Sequence, residues 1–165
     1  MLHPNFEGGF RRSFDVALVR VNQPFVFNQF VQSISLPQPN SIPTGAIVTF
    51  GWGSTSGFSG QQITVEDVLQ TSNHPIIDNS LCGEILSVLG LPLGVAGMCT
   101  GPLDATISKC YGDSGSPLVQ GTIINQPVLV GVFAWNPAEP CNSANSPQVS
   151  VRVSAVLDWI TSTIN

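Results

Sequence analysis

The chain has 165 residues, 42% hydrophobic and only 9% charged, which is enough apolar material for a domain with a buried core. A net charge of -5 and a pI near 4.6 give no attraction to phosphate backbones or anionic lipid surfaces, which excludes nucleic acid as an expected partner. With 16 Gly and 13 Pro, the composition implies many turns between short elements and favours an all-β fold over a helical bundle.

Met1-Leu2-His3-Pro4-Asn5 has neither the basic start nor the continuous apolar run of a secretory leader, so the sequence opens as if mid-protein. Residues 14–21 and 26–36, apolar with β-branched and aromatic residues, are two candidate strands, the second stopped by Pro37. Residues 37–45, rich in Pro, Asn, Ser and Thr, read as a linker, and residues 46–52 resume a strand. These changes divide the chain into an N-terminal portion 1–45, a main portion 46–153 and a closing helix in 154–165.

Residues 51–60 form a Gly/Ser/Thr loop, and residues 65–72 and 116–120 read as further strands. The apolar stretch 85–98 is broken by Gly90, Pro92, Gly94 and Gly97 and falls short of the ~20 residues of a membrane span, so no membrane partner is expected. Residues 128–135 are almost wholly apolar, as for a strand buried on both faces. Ser154 can cap a helix in which Val156, Leu157, Trp159, Ile160 and Ile164 share one face. The 4 Cys, in so charge-poor a chain, point to two disulfides and an oxidising compartment; three pairings are possible.

Cys110-Tyr111-Gly112-Asp113-Ser114-Gly115-Ser116-Pro117-Leu118 carries the strongest chemical signal. It resembles the nucleophile loop of trypsin-like serine proteases, whose pattern is Gly-Asp-Ser-Gly-Gly-Pro. Gly-Asp-Ser-Gly also suits an ordinary turn, but four further segments match the same family in the same order. Phe14-Asp15-Val16-Ala17-Leu18-Val19-Arg20-Val21 is similar to the strand bearing the triad aspartate. Gly51-Trp52-Gly53, with Leu69-Gln70 after it, resembles the opening of the second barrel. Pro75-Ile76-Ile77, Cys82 and Met98-Cys99 resemble the family's disulfide loop, and the segment from Leu129 through Trp135 and Cys141 to Trp159-Ile160 its C-terminal end.

The resemblance implies a double antiparallel β-barrel with the first barrel incomplete, the second complete and a C-terminal helix. It implies Ser114 as nucleophile, Asp15 as the residue orienting a catalytic histidine, and the N–H groups of Gly112 and Ser114 as the oxyanion hole. It also implies bridges Cys82–Cys99 and Cys110–Cys141, which use every cysteine and leave no metal site; neither metal nor cofactor is expected. The family's Thr-Ala-Ala-His-Cys segment is missing, and His3 and His74 are expected to be solvent-edge residues rather than bases. The freed N-terminus that pairs with the aspartate matching Asp113 in active members is missing too, which implies a costly buried Asp113, a zymogen-like oxyanion site and negligible peptidase activity.

By the same resemblance, Ser108 lies at the base of the primary specificity pocket, while Asn136 and Gln148 replace glycines at its mouth and wall. Small or medium uncharged side chains are the expected substrates. Lys109 stays unassigned between a substrate carboxylate and solvent. The backbone of Ala134 and Trp135 would pair with an extended substrate; Ala134 replaces a serine that supports the triad aspartate, and Ser116 and Ser150 also depart from the family pattern. Two functions follow: a secreted serine endopeptidase represented by a fragment, or a non-catalytic homologue that binds protein. Expected partners are polypeptide substrates or protein inhibitors, with the complete protein a monomer.

Overall fold

The structure, a computed structural model, describes residues 1–9, 13–55, 65–121, 126–138 and 140–164. Its frame is six strands: β1 (Ala46–Gly51), β2 (Gln70–Ile77), β3 (Gly97–Thr100), β4 (Pro117–Gln120), β5 (Val128–Trp135) and β6 (Gln148–Arg152). They close in the order β1-β2-β3-β6-β5-β4, every neighbour antiparallel. Closure leaves no free edge, so short strands of β-branched residues find a ladder on both sides. Beyond Val130, which is buried, burial alternates along β5, with Gly131, Phe133 and Trp135 buried and Val132 and Ala134 half-buried, because one face of this antiparallel strand looks inward and the other outward.

Ile47, Met98, Leu118, Val130 and Phe133 fill the barrel. A second cluster, Ile77, Cys82, Leu86, Cys99, Trp135 and Val149, holds helix α1 (Asn79–Val88) against the wall. Asp78 starts α1 by accepting the Ser80 N–H at 2.8 Å, and Cys82 and Leu86, four residues apart, share the buried face. The Cys82–Cys99 disulfide bonds α1 to β3. This helix lay hidden in sequence behind Gly83 and two serines. A third cluster joins Ala96, Val151, Val153, Val156 and Ile160, the last in the terminal helix α2 (Leu157–Ile164), with Phe14, Val16, Leu18 and Trp159 packed on it.

Three expectations are corrected. Residues 14–21 and 26–36 form no strands; they make only isolated bridges, Leu2 to Ala17, Asn28 to Val31 and Ser35 to Val128. A strand needs a partner for its backbone groups, and here Val19, Val26 and Phe30 are instead exposed. The second strand lies at 70–77 rather than 65–72, and residues 56–64 of the preceding loop fall outside the described part. Ser154 is no helix cap: it sits in a 3-10 turn, Val153–Ala155, and its hydroxyl donates to the Ser41 carbonyl at 2.5 Å while accepting from Arg152 at 2.9 Å. These bonds strap the linker to the barrel. Among the described residues no helix is long and apolar enough to cross a membrane.

Leu86 is fully buried whereas Leu81, on the outer face of α1, is 46% exposed. Leu86→Ala should therefore cost about 2–5 kcal/mol and Leu81→Ala within about 0.5 kcal/mol, read from urea unfolding followed by circular dichroism.

Candidate active site

The nucleophile loop is a chain of turns between the Cys110–Cys141 disulfide and β4. The Asp113 N–H donates to the Cys110 carbonyl at 3.0 Å, Ser116 to Asp113 at 2.9 Å, and Gly115 to Phe133 of β5 at 2.9 Å. Gly112 and Gly115 take φ of 93° and 88°, where a side chain is strained. Among the described residues, the N–H groups of Gly112 and Ser114 have no hydrogen-bond partner, although their neighbours' do. Ser114 between them is exposed, its hydroxyl reaching the Ala134 carbonyl over a long 3.4 Å.

Asp113 holds this arrangement. One carboxylate oxygen accepts the Gly53 N–H and the other the Cys110 N–H, both at 2.9 Å. The group is half-buried and both oxygens are partnered, so the cost expected of a buried Asp113 is offset by backbone dipoles. The close approach needs glycine: a Cβ on Gly51 would lie 2.0 Å from Asp113 Oδ1, and one on Gly53 2.4 Å from its Cγ. A cavity of about 290 Å³ opens beside it, lined by Gly51, Gly53, Ser72, Ser108, Lys109 and Asp113 among others.

Asp15 is half-buried, and desolvation holds its carboxyl above the usual carboxylate range. Its neighbours Ser13 and Phe14 share a cavity of about 10 Å³ with Ala134 and Trp135. No described residue hydrogen-bonds its carboxylate. The solvent-edge expectation for the histidines is wrong. His3 is 6% exposed, stacked on Phe14 with centroids 4.6 Å apart and tilted against Trp159 at 4.7 Å, while its Nδ1 accepts the Asn5 N–H. His74 is wholly buried, on a β2 position that faces the barrel interior.

The partners of His74 fix its tautomer. Nδ1 lies 2.6 Å from the Gly101 carbonyl, which only accepts, so Nδ1 carries the hydrogen and Nε2 accepts from Ser72 Oγ at 2.7 Å. Burial keeps the ring below its ordinary pKa, opposed by the Gly101 bond. Gln148 completes this layer: Oε1 accepts the Lys109 N–H at 3.0 Å and Nε2 donates to the same Gly101 carbonyl at 3.2 Å. Ser108 Oγ donates to the Cys141 carbonyl at 2.7 Å, and the Asn136 side-chain amide donates to the Lys109 carbonyl. Ser108, Asn136 and Gln148 thus come together, but each is tied to backbone.

Lys109, unassigned from sequence, is 3% exposed. Its ammonium lies 5.0 Å from the centre of the Phe133 ring and has no hydrogen-bond partner among the described residues. Desolvation lowers its pKa to about 7, with Asp113 opposing weakly from nearby. A single lysine in a charge-poor loop was a signal, but its burial depends on Phe133 and Gln148, far away in sequence.

This geometry, a serine flanked by two uncommitted N–H groups on the rim of a closed antiparallel barrel, belongs to a serine hydrolase class. Residues 1–160 match the family model described as Trypsin, and the chain belongs to that family of serine proteases. It is 32% identical over 161 residues, 96% of this chain, to transmembrane protease serine 9 of Rattus norvegicus, covering 14% of that protein. It is 31% identical over 150 residues, 91% of this chain, to the thrombin-like enzyme gyroxin B1.4 of Crotalus durissus terrificus, covering 54%. With kallikrein-15 of Homo sapiens the figures are 30% over 174 residues, 98% of this chain and 62% of the relative. The chain therefore spans less than two thirds of these relatives.

Two outcomes test the site's construction. Gly53→Ala should push the Asp113 carboxylate off its N–H donors and cost about 1–3 kcal/mol, read from the thermal midpoint. Lys109→Met should stabilise the fold in a pH-dependent way. Native Lys109 resists a proton that the unfolded chain takes near its usual pKa of 10.5. The variant's advantage should thus grow by about 1.4 kcal/mol per pH unit as pH falls from there to about 7, then level off, as denaturant titrations across pH will show.

Proposed function

We propose that this chain carries the nucleophilic half of a serine endopeptidase acting on polypeptides outside the cell. Ser114 Oγ is the nucleophile, attacking a peptide carbonyl whose developing oxyanion is met by the N–H groups of Gly112 and Ser114. The exposed hydroxyl between two uncommitted N–H groups carries this reading. Asp15 would orient a histidine, and Ala134 and Trp135 would take up the substrate backbone by strand addition. Ser108, Asn136 and Gln148 line the specificity pocket. Two disulfides support an oxidising, extracellular setting.

Neither His3 nor His74 suits the role of base, since one is stacked between two aromatic rings and the other is held inside the barrel. Residues 1–165 therefore hold a nucleophile without an activating imidazole, and Ser114 remains a protonated, weak alcohol. The same observation favours a second reading, a homologue that binds protein without cleaving it. Both share the Ser114 loop and differ in whether Ser114 can be acylated.

The test is acylation by p-nitrophenyl acetate, followed by mass spectrometry of peptic fragments. Ser114 should be modified slowly, faster with added imidazole, and hydrolysis of peptide nitroanilides should be negligible. Acetyl groups spread over other residues, or acetylation of Ser114 no faster than that of the other exposed serines with or without imidazole, would decide for the binding homologue.

A further inference from the structure

Every polar side chain assigned to the specificity pocket is engaged by backbone. The Ser108 hydroxyl is held by the Cys141 carbonyl, the Gln148 amide by Lys109 N–H and Gly101 O, and the Asn136 amide N–H by the Lys109 carbonyl. None of these is free to read a substrate side chain through its main donor. The Lys109 ammonium, Asn136 Oδ1 and Ser150 Oγ remain buried and without a hydrogen-bond partner among the described residues.

Pairing places these groups together. Ser150 stands opposite Phe133 in the β5–β6 ladder, and the ammonium lies over the Phe133 ring. Phe133 immediately precedes Ala134 and Trp135 on β5, and its carbonyl anchors the Gly115 N–H beside Ser114. The ammonium is therefore behind the strand that would align a substrate. The Asn136 side chain bridges from that strand to the Lys109 carbonyl across the mouth.

A cation stripped of water and given no acceptor is unfavourable, and what the described residues offer in return is the face of Phe133 and the field of Asp113. Asp113 is the carboxylate that acts on it, but both its oxygens are occupied by Gly53 and Cys110. His74, the other titratable group facing Lys109, is neutral and turned to Ser72 and Gly101.

Resting on the endopeptidase reading, we propose that Lys109 is the specificity determinant of this site and selects a glutamate or aspartate side chain at the residue whose carbonyl Ser114 faces. The entering carboxylate displaces the Asn136 bridge and accepts from the Lys109 ammonium and Ser150 hydroxyl. This replaces the expectation of an uncharged substrate side chain. A lysine poised with a pKa of about 7 gains its proton fully when a carboxylate arrives.

The test is binding, so it does not depend on acylation. N-acetyl tripeptide amides ending in Glu, Gln or Lys are titrated into the chain, into Lys109→Met and into Ser114→Ala, with affinities read from amide chemical shifts. The Glu peptide should bind at least about tenfold tighter than its neutral isostere Gln, and the Lys peptide weakest. That ratio should fall to about one in Lys109→Met and persist in Ser114→Ala. Lys109→Met loses a buried charge, so its folding is not at risk; its chemical-shift dispersion checks this. Equal affinity for Glu and Gln, a ratio that survives Lys109→Met, or no binding by any peptide overturns the proposal. Acylation of Ser114 by p-nitrophenyl acetate uses no side-chain pocket, so it succeeds or fails with the endopeptidase reading alone.

Discussion

The conformation of the nucleophile loop depends on where the Asp113 carboxylate goes. Its two oxygens take N–H groups from opposite directions, Gly53 at the end of β1 and Cys110 at the disulfide, and so clamp the loop between two separate parts of the barrel. With Asp113 turned inward, the intervening turn carries Gly112 at positive φ and leaves Ser114 at the surface. The clamp is why glycines stand at 51 and 53: only a bare backbone allows a carboxylate this close. A side chain bound by two backbone dipoles is also hard to move, since releasing it restores two unsatisfied donors at once.

Behind the clamp lies a layer of polar groups in a place where apolar packing is the rule. Gly101 O gathers hydrogens from His74 and Gln148, Ser72 closes the other side of the imidazole, and Gln148 reaches back to the Lys109 N–H. Each member has a partner, which makes the layer tolerable and rigid. Lys109 shares its main-chain N–H with this network yet contributes an ammonium that the network does not accept. Among the described residues, the ammonium, with Asn136 Oδ1 and Ser150 Oγ, stands beside this bonded network as a set of buried polar atoms without hydrogen-bond partners.

Much of the barrel was legible because it is local in origin: β5 announced itself by eight consecutive apolar residues or glycine, and the Gly112 to Gly115 turn by its residue types. What escaped was set by long-range pairing. Residues 14–36 have the composition of strands but no ladder to join, so composition alone misled. His3 and His74 looked polar and peripheral, although an imidazole with two suitable partners is as much at home inside. α1 was masked by Gly83 and serines because its helical face comprises only Cys82 and Leu86. Lys109 could be noticed but not placed, since its neighbours Phe133, Gln148 and Ser150 come from two strands that follow it.

The distribution of order along the chain bears on what it can do. Ser114, the two N–H groups and Lys109 all belong to the closed barrel and its disulfides, where hydrogen bonds run in both directions from every strand. Asp15 belongs to a segment held by side-chain packing of Phe14, Val16 and Leu18 and by single bridges. Local opening there costs less than opening the barrel. The proposed recognition of a side chain and the proposed orientation of a base would therefore rest on parts of unequal stability. On this proposal, binding at Lys109 would survive loosening of residues 14–36, whereas chemistry at Ser114 would need that segment held in place. Uniform binding of this kind lowers the energy of the complex without accelerating a reaction, so under the proposed function the barrel would supply recognition and cleavage would call on the Asp15 segment as well.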